Sequence, residues 1–141
     1  MFRETKRITL AAAKLMGEKA LEKCEEIGKP FVFSVVDAGG HVLYTQRMED
    51  AFVTSVSIAI DKAFTAATMK RATHMLTERV KPESELFGLN NTNNGRIIPF
   101  GGGLPVIVDG EVIGGVGASG GAVEEDIAVA TAALEALGLG V

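Results

Sequence analysis

The chain has 141 residues, a formal net charge of −4 and a hydrophobic fraction of 47%. This length most simply forms one domain over residues 1–141, and the acidic balance argues against nucleic acid or an anionic membrane as a partner. The hydrophobic fraction is high for a monomer of this size, and it predicts apolar surface buried between the subunits of a homo-oligomer.

The N-terminal segment and the single cysteine narrow the kind of protein further. The first apolar stretch is interrupted by Lys14, so we expect neither a signal peptide nor a membrane span, and therefore a cytoplasmic protein. Cys24 is the only cysteine, which excludes an intrachain disulfide and a cysteine-based zinc site. Its position among apolar residues at helical spacing predicts a buried side chain rather than a reactive thiol.

Hydrophobic periodicity divides the first half of the chain into four elements. Apolar residues at steps of three and four indicate helices, and short β-rich runs indicate strands. The alanines of the second helix keep it thin enough to lie close against a sheet or a neighbouring subunit. In chain order the elements are a helix capped by Thr9 and ended at Gly28, strands Phe31–Val36 and His41–Met48 joined by a turn, and a helix over Thr54–Lys70.

The second half of the chain contains the longest irregular stretch, residues 82–95. Loops of this length inside compact domains are usually functional or disordered. The elements predicted around it are a short helix Thr73–Val80, a short edge strand Arg96–Phe100, strands Leu104–Val108 and Val112–Val116, and a last helix Ala122–Leu137.

The pair Asp109-Gly110 is the clearest turn signal in the sequence. It lies between two β-rich runs, and a type I′ hairpin turn requires positive φ at both of its central residues, which this pair tolerates. The element order is then helix, hairpin, two helices, hairpin, helix. That order predicts an α+β fold in which helices pack on an antiparallel β-sheet in a single domain.

Glycine is concentrated in the segment Phe100–Gly121, which holds nine of the chain's 17 glycines. Glycine exposes backbone and permits close approach, so we expect the bare backbone at one end of this hairpin, where the chain enters and leaves it, to form the wall of a ligand cleft. The expected ligand-binding residues are Gly101, Gly102, Gly103, Ser119, Gly120 and Gly121, with Arg47 and Lys62 supplying positive charge through side chains.

The same segment contains the pattern G-x-G-x-x-G at Gly115, Gly117 and Gly120, which is typical of dinucleotide binding. Too little chain follows it to form the second strand of a βαβ unit. The next helix also begins with acidic residues, which would repel a pyrophosphate. We therefore expect these glycines to serve tight turns and close packing rather than nucleotide binding.

Five sequence blocks carry a resemblance to a known family. They resemble, in order, the signature of the GlcG/HbpS family, which also includes the C-terminal domain of PduO-type cobalamin adenosyltransferases. The likeness extends from about Thr9 to Leu137. The blocks are VVDAGGH (Val35–His41), RMEDA (Arg47–Ala51), DKAFTAA (Asp61–Ala67), GGGLPVIVDGEVIGGVGASGG (Gly101–Gly121) and EDIAVA (Glu125–Ala130).

The resemblance implies a profilin-like fold, assembly into homo-oligomers from tetramers to octamers, and haem binding in some members. Many relatives occur with enzymes of glycolate, glycerol or propanediol use. Because we expect no secretion signal in this sequence, the resemblance favours an accessory role in cytoplasmic diol or glycerol metabolism over an extracellular haem sensor.

Haem requires an axial ligand and cationic groups for its propionates. His41 and His74 are the axial candidates, although His41 follows a turn and a solvated turn residue is its plainer interpretation. The two histidines are not at metal-binding spacing, so no other metal site is predicted. Weaker axial candidates, expected instead to fill core or interface, are Met48, Met69, Met75 and Tyr44; the available cations are Arg47, Lys62, Lys70, Arg71 and Arg96.

Lys62 lies in a helix among small residues, which predicts either a buried ion pair with Asp37 or Asp126, or a cation that binds a ligand. Three functions stay open. The leading one is an oligomeric accessory protein that binds haem or a small ligand. The alternative is an enzyme for a small oxo- or hydroxy-acid, in which Lys62 and Arg47 hold a carboxylate and Asp37 is the acid or base. The third is an oligomeric scaffold without a ligand.

Overall fold

The computed structural model of the protein describes residues 1–140. Its regular elements follow the predicted order, with short 3-10 helices Thr73–Val80, Leu89–Asn91 and Asn93–Gly95 between the second helix and the second hairpin. The elements are helix α1 (Leu10–Ile27), strands β1 (Val32–Asp37) and β2 (Val42–Arg47), helix α2 (Val53–Met69), strands β3 (Gly103–Val108) and β4 (Glu111–Ser119), and helix α3 (Val123–Glu135).

The strands form one four-stranded antiparallel sheet in the order β2-β1-β4-β3. Val32 of β1 lies opposite Arg47 of β2 on one side and opposite Ser119 of β4 on the other. β1 and β4 are therefore the central strands, and β1 is buried over all but its last residue. The predicted α+β fold, helices on an antiparallel sheet, is confirmed.

The two faces of the sheet carry different helices. Paired residues on neighbouring strands point to the same face, and the next residue along each strand points to the other. On one face Phe33, Val35 and Val116 pack in the main core with side chains of α1 and α3. On the other face Val32 and Val36 pack against alanines of α2. The result is three layers: α1 with α3, the sheet, and α2.

Glycines bring α2 unusually close to the central strand β4. A Cβ added at Gly115 would overlap the backbone of Ala63 and Ala67, and one at Gly117 would overlap the carbonyl oxygen of Ala59. Two members of the G-x-G-x-x-G pattern thus face a packed helix and not a nucleotide. The expectation of close packing at this pattern agrees with the structure.

Turns and caps follow the sequence signals. The Thr9 side chain accepts a hydrogen bond from the Ala12 N–H, and Gly28 ends α1 with a left-handed φ of 82°. Asp109 and Gly110 have φ of 51° and 77°, both positive as a type I′ turn requires. Cys24 is buried in the main core, and this burial raises the pKa of its thiol to about 12.

The structure differs from the prediction at residues 96–100, which form no strand. Side chains of neighbouring helices take the backbone groups that a strand would have paired. The Thr65 hydroxyl donates to the Arg96 carbonyl and accepts the Ile98 N–H, and the Thr77 hydroxyl donates to the Pro99 carbonyl. The last helix also ends at Glu135, before the predicted Leu137. Within residues 1–140, no helix is both long enough and apolar enough to cross a bilayer.

Candidate functional site

The glycine-rich backbone expected to wall a cleft is packed against protein. Gly101, Gly102 and Gly103 are buried, and a Cβ on them would meet side chains of α3 and both the side chain and the carbonyl of Lys62. At the same end of the hairpin, where the chain leaves β4, the Ser119 hydroxyl hydrogen bonds with that of Ser55, at 3.0 Å. In this structure the segments Gly101–Gly103 and Ser119–Gly121 therefore line packed protein, and a ligand-binding role for them stays a prediction.

The Lys62 side chain occupies the space beside Gly102. This side chain is 0% exposed, and Nζ donates to Asp126 Oδ2 at 2.9 Å and to the Ala118 carbonyl at 2.8 Å. The Phe100 ring lies over the same nitrogen, 5.2 Å from Nζ to the ring centroid. Lys62 belongs to α2 and Asp126 to α3, on opposite faces of the sheet. The ion pair thus joins the two helical layers beside the start of β3.

Both charges of this pair are costly to bury. Burial lowers the pKa of the Lys62 ammonium, and the charge of Asp126 opposes that effect only in part. Burial likewise raises the pKa of Asp126, although its carboxylate also accepts the Gly121 N–H at 3.0 Å. The interpretation of Lys62 as half of a buried ion pair is confirmed, and of the two possible partners the structure selects Asp126.

The three residues of the alternative enzyme reading do not meet within one chain. Arg47 lies opposite Val32 at one end of β1, and Asp37 is five residues further along the same strand. At about 3.3 Å per residue, that places their backbones roughly 17 Å apart. Arg47 donates to the Ala51 carbonyl, and Lys62 is engaged by Asp126. A small acid cannot touch all three side chains of one subunit.

One cavity gathers several of the haem candidates. It has a volume of about 370 Å³ and lies between the Thr73–Val80 helix and the edge strand β3; we call it the His74 cavity. Its polar lining consists of Lys70, Arg71 and His74. The rest of its lining is apolar or small: Ala72, Met75, Leu104, Pro105, Ile107 and Gly140.

The fold positions this lining through the end of α2. Lys70 ends the helix with a left-handed φ of 59°, and the Arg71 Nε donates to the Met69 carbonyl at 3.2 Å. Thr73 then anchors the 3-10 helix to β3, because its hydroxyl accepts the Gly103 N–H at 2.9 Å. His74, next in the chain, is left exposed beside the strand edge.

His41 lines a second, larger cavity of about 560 Å³, which we call the His41 cavity. Its walls are the N-terminal residues Thr5–Ile8, the turn between β1 and β2, and the apolar side chains of Leu43 and Ile113. The two axial candidates are thus separated into different cavities. Of the weaker candidates, Met75 lines the His74 cavity, while Met48 and Tyr44 pack against the main core.

Sequence reasoning missed the partners of both histidines. The apolar wall of the His74 cavity comes from β3, some thirty residues after His74, and Arg7 and Ile8 reach the His41 cavity from the N-terminus. Neither set shows a local pattern, because strand and loop residues converge there only through the sheet order. The one local signal is the pair of cations Lys70 and Arg71, which precede His74 closely in the sequence and were among the available cations named above.

A family model described as "Haem degrading protein HbpS-like" matches residues 8–135. The chain belongs to the HbpS-like family. This agrees with the GlcG/HbpS resemblance carried by the five sequence blocks. The match covers the sheet, α1, α2 and α3, and the whole lining of the His74 cavity except Gly140. Of the His41 cavity lining, Thr5, Lys6 and Arg7 lie outside the match.

Three known proteins show how close the family relation is. The chain is 55% identical to an uncharacterized 15.0 kDa protein of the dhaT-dhaS intergenic region of Citrobacter freundii, over 91% of this chain and 90% of that protein. The crystal structure of Klebsiella pneumoniae protein ORFY aligns with a TM-score of 0.95 at 48% identity, covering 97% of this chain and 94% of ORFY. A crystal structure of a PduOC–haem complex aligns with a TM-score of 0.90 at 39% identity, covering 93% and 95% of the two chains.

Proposed function

We propose that this protein is a haem-binding accessory protein and that haem is held at the His74 cavity. The observation that carries the proposal is the composition of that cavity, in which one imidazole and two cations stand beside an apolar strand edge. The related PduOC structure, a complex with haem, supports the same ligand.

The residues present fit the chemical demands of haem. Imidazole is the commonest axial ligand, a macrocycle needs apolar walls, and propionates need cations. His74 would supply the ligand nitrogen; Leu104 and Ile107 would contact the ring; Lys70 and Arg71 would meet the carboxylates. Haem so bound would supply a redox-active iron, and the chain's own part is to bind it, orient it and leave it partly open to solvent.

Hemin titration of the purified protein tests this proposal. We expect a saturable shift of the Soret band, and we expect His74→Ala to weaken hemin binding by about tenfold or more, as loss of about 1.4 kcal/mol would do. His41→Ala is the matched control, because it removes the other histidine from the other cavity. Lys70→Ala with Arg71→Ala should weaken binding while leaving the position of the Soret band unchanged, since no axial ligand is lost.

Three outcomes would contradict the proposal. Equal losses in His74→Ala and His41→Ala, or a loss only in His41→Ala, would move the site away from the His74 cavity. The absence of any saturable spectral change in the wild-type protein would remove haem as the ligand.

We infer further that the protein acts as a homo-oligomer in cytoplasmic glycerol or diol metabolism. The metabolic setting rests on the GlcG/HbpS resemblance, because many relatives occur with enzymes of glycolate, glycerol or propanediol use. Assembly is supported by apolar side chains that stay exposed in the single chain, above all Phe52 at 67% and Val53 at 74% exposure. The subunit number expected from the family resemblance, four to eight, is tested below.

A further inference from the structure

The His41 cavity has a free cation at its rim. Lys6 is paired with Asp109 of the β3–β4 turn, but Arg7 takes part in no ion pair within residues 1–140. The segment that carries Arg7 is anchored, because the Ile8 side chain packs where Gly114 lacks a Cβ. Arg7 therefore lines the cavity from an anchored segment, and its guanidinium is available to a ligand.

A carboxylate oxygen faces the same cavity from the turn between β1 and β2. The Asp37 Oδ1 atom accepts the N–H of Gly39 at 2.9 Å and that of His41 at 3.0 Å. These bonds hold the carboxylate in one orientation, and its second oxygen, Oδ2, accepts no hydrogen bond from the described part of the chain. A partly buried, oriented carboxylate oxygen of this kind can accept a hydrogen bond from a hydroxyl group.

The imidazole of His41 lies against this turn, and the floor of the cavity is apolar. A Cβ on Gly39 would come within 3.1 Å of the His41 ring, so glycine allows the ring to lie over the turn. Ile8, Leu43 and Ile113 provide a surface for a short alkyl group. The cavity thus combines a donor for an anion, an acceptor for a hydroxyl and a small apolar floor.

We propose that the His41 cavity is a second ligand site and that its ligand is a small aliphatic carboxylic acid that carries a hydroxyl group. The ligand carboxylate pairs with Arg7, the hydroxyl donates to Asp37 Oδ2, and the carbon skeleton contacts the apolar floor. The fixed negative charge of Asp37 disfavours acids that lack a hydroxyl to offer it. This site is independent of haem binding at the His74 cavity.

Three compounds of equal carbon number separate the parts of this proposal. Lactate has both groups, propionate lacks the hydroxyl, and 1,2-propanediol lacks the carboxylate. We expect calorimetric titration at constant ionic strength to show saturable binding of lactate, about fivefold or more tighter than either of the other two, because each lacks one charge-assisted hydrogen bond.

Variants assign the binding to the residues. Arg7→Gln should reduce lactate affinity to that of the diol, and Asp37→Asn should remove the preference for lactate over propionate while keeping the Oδ1 acceptor of the turn. Arg3→Gln is the matched control, since it removes a cation of the same segment that does not line the cavity. His74→Ala should leave lactate binding unchanged.

Three results of these titrations would overturn the proposal directly, and a fourth would place the ligand elsewhere. The first three are no saturable binding of lactate, equal binding of the three compounds, or equal effects of Arg7→Gln and Arg3→Gln. A loss of lactate binding in His74→Ala would also overturn it, because that would place the acid in the proposed haem cavity. Circular dichroism of each variant separates loss of a contact from loss of the fold.

Discussion

At the scale of single residues, Lys62 has a structural role, although the sequence left a ligand-binding role open. From the sequence, a lysine among small residues predicts either a buried ion pair or a ligand contact. Its full burial, its two hydrogen-bond acceptors and its crossing from α2 to α3 make it a structural link. Buried ion pairs of this kind are strongly destabilising when only one partner is removed.

We therefore expect Lys62→Met to lower the free energy of unfolding by about 3–5 kcal/mol, because it leaves the buried Asp126 charge without its partner. Urea denaturation measures the change. The double variant Lys62→Met with Asp126→Asn should recover most of the loss, since it removes both charges and keeps an oxygen for the Gly121 N–H. Lys6→Met, which breaks the exposed pair with Asp109, is the control and should cost less than about 1 kcal/mol. Equal losses of unfolding free energy in Lys62→Met and Lys6→Met would show that the buried ion pair stabilises the fold no more than the exposed one.

At the scale of elements, the packing of α2 on β4 decides where the glycines are needed. The helix offers small side chains at Ala59, Ala63 and Ala67, and the strand offers Gly115 and Gly117 opposite them. With no Cβ on either glycine, the helix backbone contacts the strand directly. Two glycines of the G-x-G-x-x-G pattern, which resembles a dinucleotide-binding motif, therefore form the contact between the sheet and α2.

Gly117→Ala tests this contact. The added Cβ would overlap the Ala59 carbonyl and force α2 away from the sheet, so we expect a loss of unfolding free energy of about 1–3 kcal/mol. Gly140→Ala is the matched control, because a Cβ there meets open space. A Gly117→Ala protein as stable as the wild type would show that the close approach of α2 is not required.

At the scale of the whole molecule, the layers leave apolar side chains without a partner. Phe52 and Val53 begin α2 and are more than half exposed, and Phe52 occupies the N-cap position without a capping hydrogen bond. A polar residue would suit that position better in a monomer. The choice of phenylalanine there is consistent with a contact between subunits.

We expect light scattering coupled to size exclusion to show wild-type particles of several times the chain mass of 14.8 kDa. Phe52→Asp should shift the protein to smaller particles without unfolding it, because aspartate removes apolar surface and caps α2. Phe87→Asp, at a similarly exposed phenylalanine in the long loop, is the control. A wild-type protein that elutes as a monomer would end the oligomer proposal, and equal shifts in both variants would place the interface elsewhere.

Local signals in the sequence account for most of the fold. Thr9 and Gly28 mark the ends of α1, and Asp109-Gly110 marks the second hairpin, because caps and tight turns depend on residues within a few positions of one another. The absence of a strand at residues 96–100 had no such signal. Thr65 and Thr77, distant in sequence, satisfy that backbone, and only the packed helices bring them there.

The sequence by itself determined the class of fold, the family and the residue types available for a ligand. Periodicity, turn residues and the order of motifs can be identified from residues that are close together in the sequence. Tertiary structure alone decided which of these residues meet. It paired Lys62 with Asp126, closed the glycine backbone against α2 and α3, and separated His74 from His41. The physical reason is that a cavity is formed by surfaces from several elements, and their distances depend on strand order and helix packing rather than on neighbours in sequence.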